Sequence, residues 1–293
     1  VDSLYCVRSS MDTKTRADNL ELIESIPIQE KLEELDIAIE AAISAGKAIL
    51  EIYRGSYKTV TKNDDSPLTE ADLKSNEIIK KILSRTNHFI LSEEDKDEKS
   101  RLSREVIWIV DPLDGTSDFI DETGEFTVMI ALVKDKKPVL GVINWPTENT
   151  VFVAQKGRGA FRYSKNRWER IHVTGTSVLS ECRFVGSRHH LSKNEKAFIK
   201  KLGIKEFTSI GSSLKVGKIS SGEAEAYITT TNKIKEWDSA ASYCLINEAG
   251  GKMTDMQGNE LFYNNEIVNH QNGILATNGL IHEKIIDEFR KLD

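Results

Sequence analysis

Cysteine is scarce: Cys6, Cys182 and Cys244 are all that 293 residues contain, an odd number at wide spacing. That excludes a disulfide framework and the paired spacings of a zinc site, and it points to a reducing compartment, with the cytoplasm as the expected location. No apolar run approaches the roughly 20 residues that a membrane-spanning helix needs. The opening residues carry no charged-then-apolar signal pattern. Basic residues are outnumbered, 40 against 46 acidic, for a net charge of -6. A uniformly basic surface for nucleic acid is thereby excluded, as is a basic stripe interleaved with aromatics, while a local cationic pocket is not. Internal repeats and low-complexity tracts are missing too. One further absence is local: no Lys or Arg lies between Val106 and Lys134.

That gap surrounds the most informative stretch, Trp108-Ile-Val-Asp-Pro-Leu-Asp-Gly-Thr-Ser117. An apolar strand, Ile107 to Val110, delivers Asp111 and Asp114 into what reads as a loop that cannot continue as sheet. Pro112 has no N–H to donate, and Gly115 permits backbone angles closed to other residues. Acids beside an apolar run need a compensating positive charge. With no base nearby, a divalent metal is the natural candidate.

At 39% hydrophobic and 29% charged residues, the composition is that of an ordinary globular chain. Residues 1–28 are polar and aperiodic and read as a loose leader. Helical spacing marks Glu30–Tyr53, ended near Gly55, and a second helix after Thr69 through Ile78, Ile79 and Leu83. Short β-type runs follow at Asn87–Leu91, Val106–Val110, Phe126–Val133, Val139–Trp145 and Thr150–Ala154. Beyond residue 160 strands at Arg170–Val173, Arg183–Gly186 and Ala224–Ile228 mix with helices near 192–202, 212–220, 239–249 and 279–292. The pattern predicts an α+β or mixed α/β protein in layers, with a half at 29–160 and a half at 161–293 tightly packed.

Acids recur at strand ends and helix starts: Asp72 after Ser-Pro-Leu-Thr, Glu93 after Phe89-Ile-Leu, Asp111 and Asp114, and Asp238 after Trp237. Alone, each has an ordinary reading: Asp238 and Asp72 as helix-start residues, Asp114-Gly115 as a turn, Glu93-Glu94-Asp95 as a solvated loop. Together they form a hard-oxygen ligand set, with no Cys or His beside it, suited to Mg²⁺ or Mn²⁺. Paired ions about 3.5–4 Å apart hydrolyse phosphate esters, and such chemistry gathers carboxylates from separate elements. Gly115-Thr116-Ser117 adds a turn where a phosphate can approach the backbone and where the Thr116 hydroxyl can hold a water.

The ordered set Ser66-Pro-Leu-Thr-Glu-Ala-Asp72, Leu91-Ser-Glu-Glu94, Asp111-Pro-Leu-Asp-Gly-Thr116 and Glu236-Trp-Asp-Ser-Ala-Ala241 resembles the inositol monophosphatase superfamily, from about residue 30 onward. Gly124-Glu-Phe-Thr-Val-Met-Ile-Ala-Leu132, Ser187-Arg-His-His190 and Gly211-Ser-Ser-Leu-Lys215 look most like its 3'(2'),5'-bisphosphate nucleotidase branch of sulfur metabolism. The resemblance implies a layered α-β-α-β-α sandwich and a lithium-sensitive, Mg²⁺-dependent phosphatase. Its small-molecule phosphonucleotide substrate would be adenosine 3',5'-bisphosphate, cut to AMP and phosphate. It also implies two or three Mg²⁺ ions, with Mn²⁺ as a substitute, and a homodimer.

By the same resemblance, Glu93, Asp111 and the Leu113 carbonyl hold a first ion, and Asp111, Asp114 and Asp238 hold a second. Asp72 helps bind a further ion or deprotonates the attacking water, which Thr116 orients. Leu113, Asp114, Gly115 and Thr116 cradle the scissile phosphate, with Asp238 beside it, while His190, Ser212 and Lys215 face the nucleotide and its other phosphate. The chain departs from that branch at Thr229-Thr230-Thr231, where an Arg is the family pattern; Lys233 or Lys235 stands nearby. The alternatives are an inositol monophosphatase or sugar bisphosphatase on the same scaffold, and a catalytically silent phosphonucleotide-binding protein.

Overall fold

A computed structural model describes residues 20–62 and 67–292; Cys6 and Ser66, read above, lie outside the described residues. Helix α1 (Glu33–Tyr53) carries Glu33, Glu34 and Asp36 in its first turn, where acids suit the helix dipole. Its apolar face, Leu35, Ile39, Ala42 and Ile49, is buried. A short antiparallel hairpin, β1 (Thr59–Thr61) and β2 (Pro67–Thr69), leads into α2 (Glu70–Leu83), which packs on α1.

Seven strands then form one sheet: β3 (Phe89–Ser92), β4 (Val106–Asp114), β5 (Thr127–Lys134), β6 (Lys137–Trp145), β7 (Thr150–Gln155), β8 (Gly159–Ser164) and β9 (Arg167–Ile171), in chain order. Only β3 and β4 run parallel; the other neighbours are antiparallel. Period-2 geometry sends alternate side chains of β4 to opposite faces. Trp108 and Val110 join the core under α1 and α2, whereas Ile107 and Ile109 join the core on the other side. With both faces covered, the central strands read as continuous apolar runs.

The second sheet is ordered β11-β10-β12-β14-β13, from β10 (Arg183–Ser187), β11 (Glu206–Ile210), β12 (Ala226–Thr229), β13 (Lys252–Thr254) and β14 (Ile274–Thr277). Between the sheets lie α5 (Leu214–Ser220) and α6 (Ala240–Glu248), whose Leu214, Val216, Ala241, Cys244 and Leu245 fill the central core. Outside the second sheet, α4 (Lys193–Lys201) and α7 (His282–Arg290) enclose a third core with Phe184, Phe198, Ile228 and Ile285. The order α-β-α-β-α is the expected layered mixed α/β sandwich. Its central joint is tight: a Cβ on Gly141 of β6 would stand 2.6 Å from the Ala241 carbonyl oxygen of α6. Among the described residues, no helix is long and apolar enough to cross a membrane.

Four expectations need correction. Residues 20–24 are helical, and Leu22, Ile23, Ile26 and Ile28 are buried, so the 1–28 leader reading extends too far. Leu20, Leu22, Ile23, Ile26 and Ile28 make five apolar residues in nine, but the stretch is too short to show a helical period. The division at residue 160 falls inside β8, since the first sheet runs on to Ile171. Strand β4 does not stop at Val110: Asp111 pairs with Met129 and Asp114 with Thr127, across a register shift that absorbs Pro112 and Leu113. A bulge does what a loop was expected to do. Strands β8, β11, β13 and β14 and the β1–β2 hairpin went unread: β1, β2 and β13 have three residues each, and β11 carries the largely exposed Glu206-Phe-Thr-Ser209.

Two buried histidines tie the second half to proton activity. His282 Nε2 and Nδ1 each meet a hydroxyl at 2.8 Å, of Thr254 and Thr277, and His270 Nε2 meets Ser239 Oγ at 2.7 Å. Burial pushes both imidazoles down to about 4. An unfolded imidazole takes its proton near 6.5, so between there and about 4 the unfolded chain binds more protons. Their stabilising share is therefore complete above pH ~6.5 and lost as the pH falls, on the order of 3 kcal/mol for each ring. Both rings should remain neutral by NMR at pH 5.5, and His282→Gln should flatten the fall in melting temperature between pH 7 and 5. Equal slopes for parent and variant would refute this account.

Candidate active site

The bulged end of β4 sets the site. Asp111 is buried, and its Oδ1 accepts the Leu113 N–H at 3.0 Å, which folds the Pro112-Leu113 excursion back on the carboxylate. Ser75 Oγ of α2 donates to the Pro112 carbonyl at 2.6 Å and pins that excursion to the helix layer. Gly115 follows at φ +92°, a left-handed conformation open to glycine; a Cβ there would lie 3.1 Å from both the Glu125 carbonyl and Ser212. The chain then enters the single short helix α3 (Thr116–Ile120).

Three carboxylates converge. Oxygens of Glu93 at the end of β3, Asp111 on β4 and Asp238 before α6 all lie within 4.8 Å of one another, the acidic cluster found among the described residues. Asp238 does not cap α6: Ser239 is the N-cap residue, and Asp238 Oδ2 accepts the Lys235 N–H at 2.7 Å. Asp114 lies close enough to this cluster to raise the pKa of both Asp111 and Asp238. Its Oδ2 accepts the Ser213 N–H, and the Ser213 hydroxyl meets Thr127 Oγ1 at 2.7 Å.

Asp72 sits apart but is linked to the loop. It completes a capping box with Thr69: Asp72 Oδ2 accepts the Thr69 N–H at 2.7 Å and its hydroxyl at 2.6 Å. The other oxygen accepts Thr116 Oγ1 at 3.1 Å, and Thr116 also reaches the Leu113 carbonyl at 3.2 Å. The helix-start reading of Asp72 is realised on one oxygen, while the other ties it to Thr116 of the loop.

Electrostatics follow from burial and like charge. Burial first, then Glu93, Asp114 and Asp238, drive the Asp111 pKa well above the usual carboxylate range. Burial and Glu93 do the same for Asp238. Asp114 is raised by burial, against the pull of Lys215 and the Ser213 N–H. Burial also raises Asp72. Two lysines supply internal countercharge. Lys62 Nζ bonds Glu93 Oε1 at 3.1 Å and Glu94 Oε1 at 2.6 Å; burial opposes its charge, but those two acids outweigh it and raise its pKa. Glu94 is pushed up to about 7, chiefly by burial. Lys215 is buried, donates to the Ser212 carbonyl and faces Asp114, Asp118 and Asp238; burial lowers its pKa despite them.

Lys62, Glu94, Ser213 and Thr127 received no site role from the sequence, although the last three stand inside the quoted motifs. Lys62 had a signal available, as the base missing from residues 106–134 had to come from elsewhere; a backbone N–H such as that of Ser213 has none. His190, by contrast, is an exposed residue on the loop after β10; partial desolvation of its ring, then His189, then Lys215 and Lys233 lower its pKa. Ser212 is buried at φ +49°. The same wall holds Arg188, bonded to Asp118 Oδ1 at 3.2 Å and to Glu125.

Oxygen donors alone, half-buried, mutually repelling and only partly neutralised, fit a hard divalent cation and no softer metal. The five-layer mixed α/β fold with such a cluster where its two sheets meet defines a protein with a candidate divalent-cation site. More narrowly, the chain belongs to the inositol monophosphatase family, which it matches over residues 30–293. It is similar to the 3'(2'),5'-bisphosphate nucleotidase CysQ of Escherichia coli strain K12, at 36% identity over 238 residues, 78% of this chain and 93% of that protein. Among solved structures it resembles CysQ from Bacteroides thetaiotaomicron (33% identity, TM-score 0.72, covering 84% of this chain and 97% of that one). It also resembles an IMPase from Thermotoga maritima (26% identity, TM-score 0.76, covering 89% and 98%).

A cluster of repelling acids is a cost to the metal-free fold, present whenever they are ionised. Asp111→Asn should therefore raise the melting temperature measured in EDTA, by about 2–4 °C for each kcal/mol of repulsion removed. A variant melting at or below the parent would show that repulsion is already relieved by other means.

Proposed function

We propose that this protein is a Mg²⁺-dependent phosphatase that removes the 3'-phosphate of adenosine 3',5'-bisphosphate, giving AMP and phosphate. The convergence of Glu93, Asp111 and Asp238 from three separate elements carries the reading. The substrate is suggested by the relatives named as 3'(2'),5'-bisphosphate nucleotidases at 35–36% identity. In this reading Glu93, Asp111 and the Leu113 carbonyl hold one Mg²⁺, and Asp111, Asp114 and Asp238 hold another, with Mn²⁺ as a substitute. When bound, such ions polarise phosphate oxygens and make water more acidic.

The chain's own groups do the rest. Asp72 takes a proton from the attacking water, a task its burial-raised pKa favours. Thr116, held by Asp72 and the Leu113 carbonyl, aims its hydroxyl so that the water approaches the phosphorus. The backbone from Leu113 to Thr116, open to close approach at Gly115, faces the scissile phosphate. Ser212, Lys215 and His190 face the nucleotide and its other phosphate, and Lys233 adds charge where His190 lies. A cytoplasmic, lithium-sensitive homodimer is part of the same reading.

Inositol monophosphatase activity is the second reading, favoured by Thr229-Thr230-Thr231 in place of the nucleotidase Arg. Phosphate release should be faster, by tenfold or more in kcat/KM, from adenosine 3',5'-bisphosphate than from inositol 1-phosphate; the reverse order would overturn the choice of substrate. EDTA should abolish release and Mg²⁺ restore it. Asp111→Asn should lose at least about 10²-fold in kcat, the scale of removing a group that stabilises transition-state charge. Tight nucleotide binding with no release by the parent protein would instead indicate a silent binder.

A further inference from the structure

We propose that Arg101 and Glu236 are positioning residues for the cation site, two ends of a buried brace that ties the loop carrying Glu93 to the loop carrying Asp238. The inference rests on the divalent-cation reading above.

Arg101 follows the Glu93 loop on the 3-10 turn Lys99–Ser103 and is fully buried, at 0% exposure. Its guanidinium uses both edges of its fork. Nε and Nη2 grip Asp97 Oδ1 and Oδ2 at 2.6 and 3.0 Å, which fixes the guanidinium to its own loop. Asp97 is held down to about 2 chiefly by that bond. On the far side, Nη1 reaches Asn264 Oδ1 and Nη2 the Asn265 carbonyl, both at 2.8 Å and more than 160 residues away in sequence. The Asn264 amide returns a bond to the Arg101 carbonyl at 3.0 Å.

The turn so held has a second job. Asn264 adopts φ +59°, and the successive N–H groups of Asn264 and Asn265 both point at Glu236, meeting Oε2 at 2.7 Å and Oε1 at 2.9 Å. Asn265 Nδ2 adds a third bond to Oε1 at 2.9 Å. Glu236 is itself buried, and its main chain is pinned by its N–H to Val268 and by Ala240 to its carbonyl, at 2.8 and 2.9 Å. Two residues on stands Asp238. From partly exposed Asp97 to buried Arg101, Asn264 and Glu236, the joints are short bonds that involve a charged group or the backbone.

A site of repelling carboxylates needs such a device. Glu93 and Asp238 belong to different sheets' loops, and like charge drives them apart whenever no cation is between them. Buried ionic networks are poor sources of stability compared with apolar packing, so their best-attested use is to fix geometry. Partners outside the ligand shell commonly govern metal affinity by 10–100-fold. A lysine cannot replace the guanidinium, because it lacks the planar fork that bonds Asp97, Asn264 and Asn265 at once.

The test measures free Mn²⁺ by electron paramagnetic resonance with the full chain, independent of activity, on variants whose circular dichroism matches the parent. Glu236→Gln, which keeps the size but loses one acceptor, should raise the Mn²⁺ Kd about 10–100-fold. Arg101→Lys should do the same, and the double variant should be no worse than the weaker single, because the two act in series. The Mg²⁺ concentration for half-maximal turnover should rise in parallel while kcat at saturating Mg²⁺ stays within a few-fold of the parent. Arg104→Ala, an exposed neighbour, should leave Mn²⁺ binding unchanged. If Arg101→Lys does not fold, Glu236→Gln alone decides. A Glu236→Gln Kd within twofold of the parent, or additive losses in the double variant, would overturn the brace. Failure of the parent to bind Mn²⁺ would remove the cation reading, and the brace with it.

Discussion

Like-charged oxygens brought within a few ångströms of each other in a half-buried cleft set the terms for the whole molecule. Glu93, Asp111 and Asp238 gain nothing from one another, and burial compounds the repulsion. Their convergence must be imposed by structure that is stable for other reasons. Three apolar cores supply it, one on each side of the seven-stranded sheet and one outside the five-stranded sheet. Strained or repelling groups persist at sites where the surroundings over-determine them, and this site is of that kind.

The site lies where the two sheets' loops meet, so each half completes the other. The first sheet offers Glu93, Asp111 and Asp114 at strand ends. The second half answers with the Ser213 N–H on Asp114, with Lys215 facing Asp114 and Asp238, and with the Gly211 N–H on Glu125 at 2.7 Å. Gly211 can be nothing larger, since a Cβ there would stand 2.5 Å from the Asp118 carboxyl. Close approach of the two halves and the arrangement of charge in the cleft are therefore one problem with one solution.

Much of this was legible in the chain, and for physical reasons. Side-chain periodicity exposed α1 and α2 and the long central strands, because each buries a continuous face. The acids were legible because a carboxylate beside an apolar run is costly unless it is used, and Asp111-Pro-Leu-Asp114 states that cost locally. What stayed hidden was whatever depends on contacts distant in sequence. Lys62 belongs to no motif, yet it bonds two acids of the cleft. Arg101 looks like any surface arginine in a polar turn until Asn264 and Asn265 are placed beside it. Strand β11 is a largely exposed edge, without the alternation that marks a half-buried strand, and Leu22, Ile23, Ile26 and Ile28 come from a stretch too short to show a period, yet join the core under α1. Charge and burial pattern encode the near neighbourhood; the pairing of loops is encoded only by the finished topology.

The cleft wall formed by the second half bears on how a second phosphate would be read. Where the nucleotidase pattern has an arginine, this chain has Thr229-Thr230-Thr231, and the structure gives that stretch another task. The Thr230 N–H and hydroxyl are held by buried Glu195 at 2.6 and 3.3 Å, and Glu195 also closes the capping box of α4 through Ser192. A carboxylate anchored there fixes the loop from beneath and leaves no planar fork facing the cleft from those positions. The one arginine of the opposite loop, Arg188, is engaged by Asp118 and Glu125. Positive charge on this wall thus comes from Lys215 and Lys233, which act as separate points and not as a rigid bidentate donor, while the lowered pKa of His190 leans its ring toward the neutral form. Point charges attract phosphate without dictating its orientation. Discrimination between a nucleotide and a smaller phosphate ester on such a wall depends on how far apart the points stand, and Lys215, locked to the Ser212 carbonyl beneath Tyr227, is the one whose place is fixed by packing.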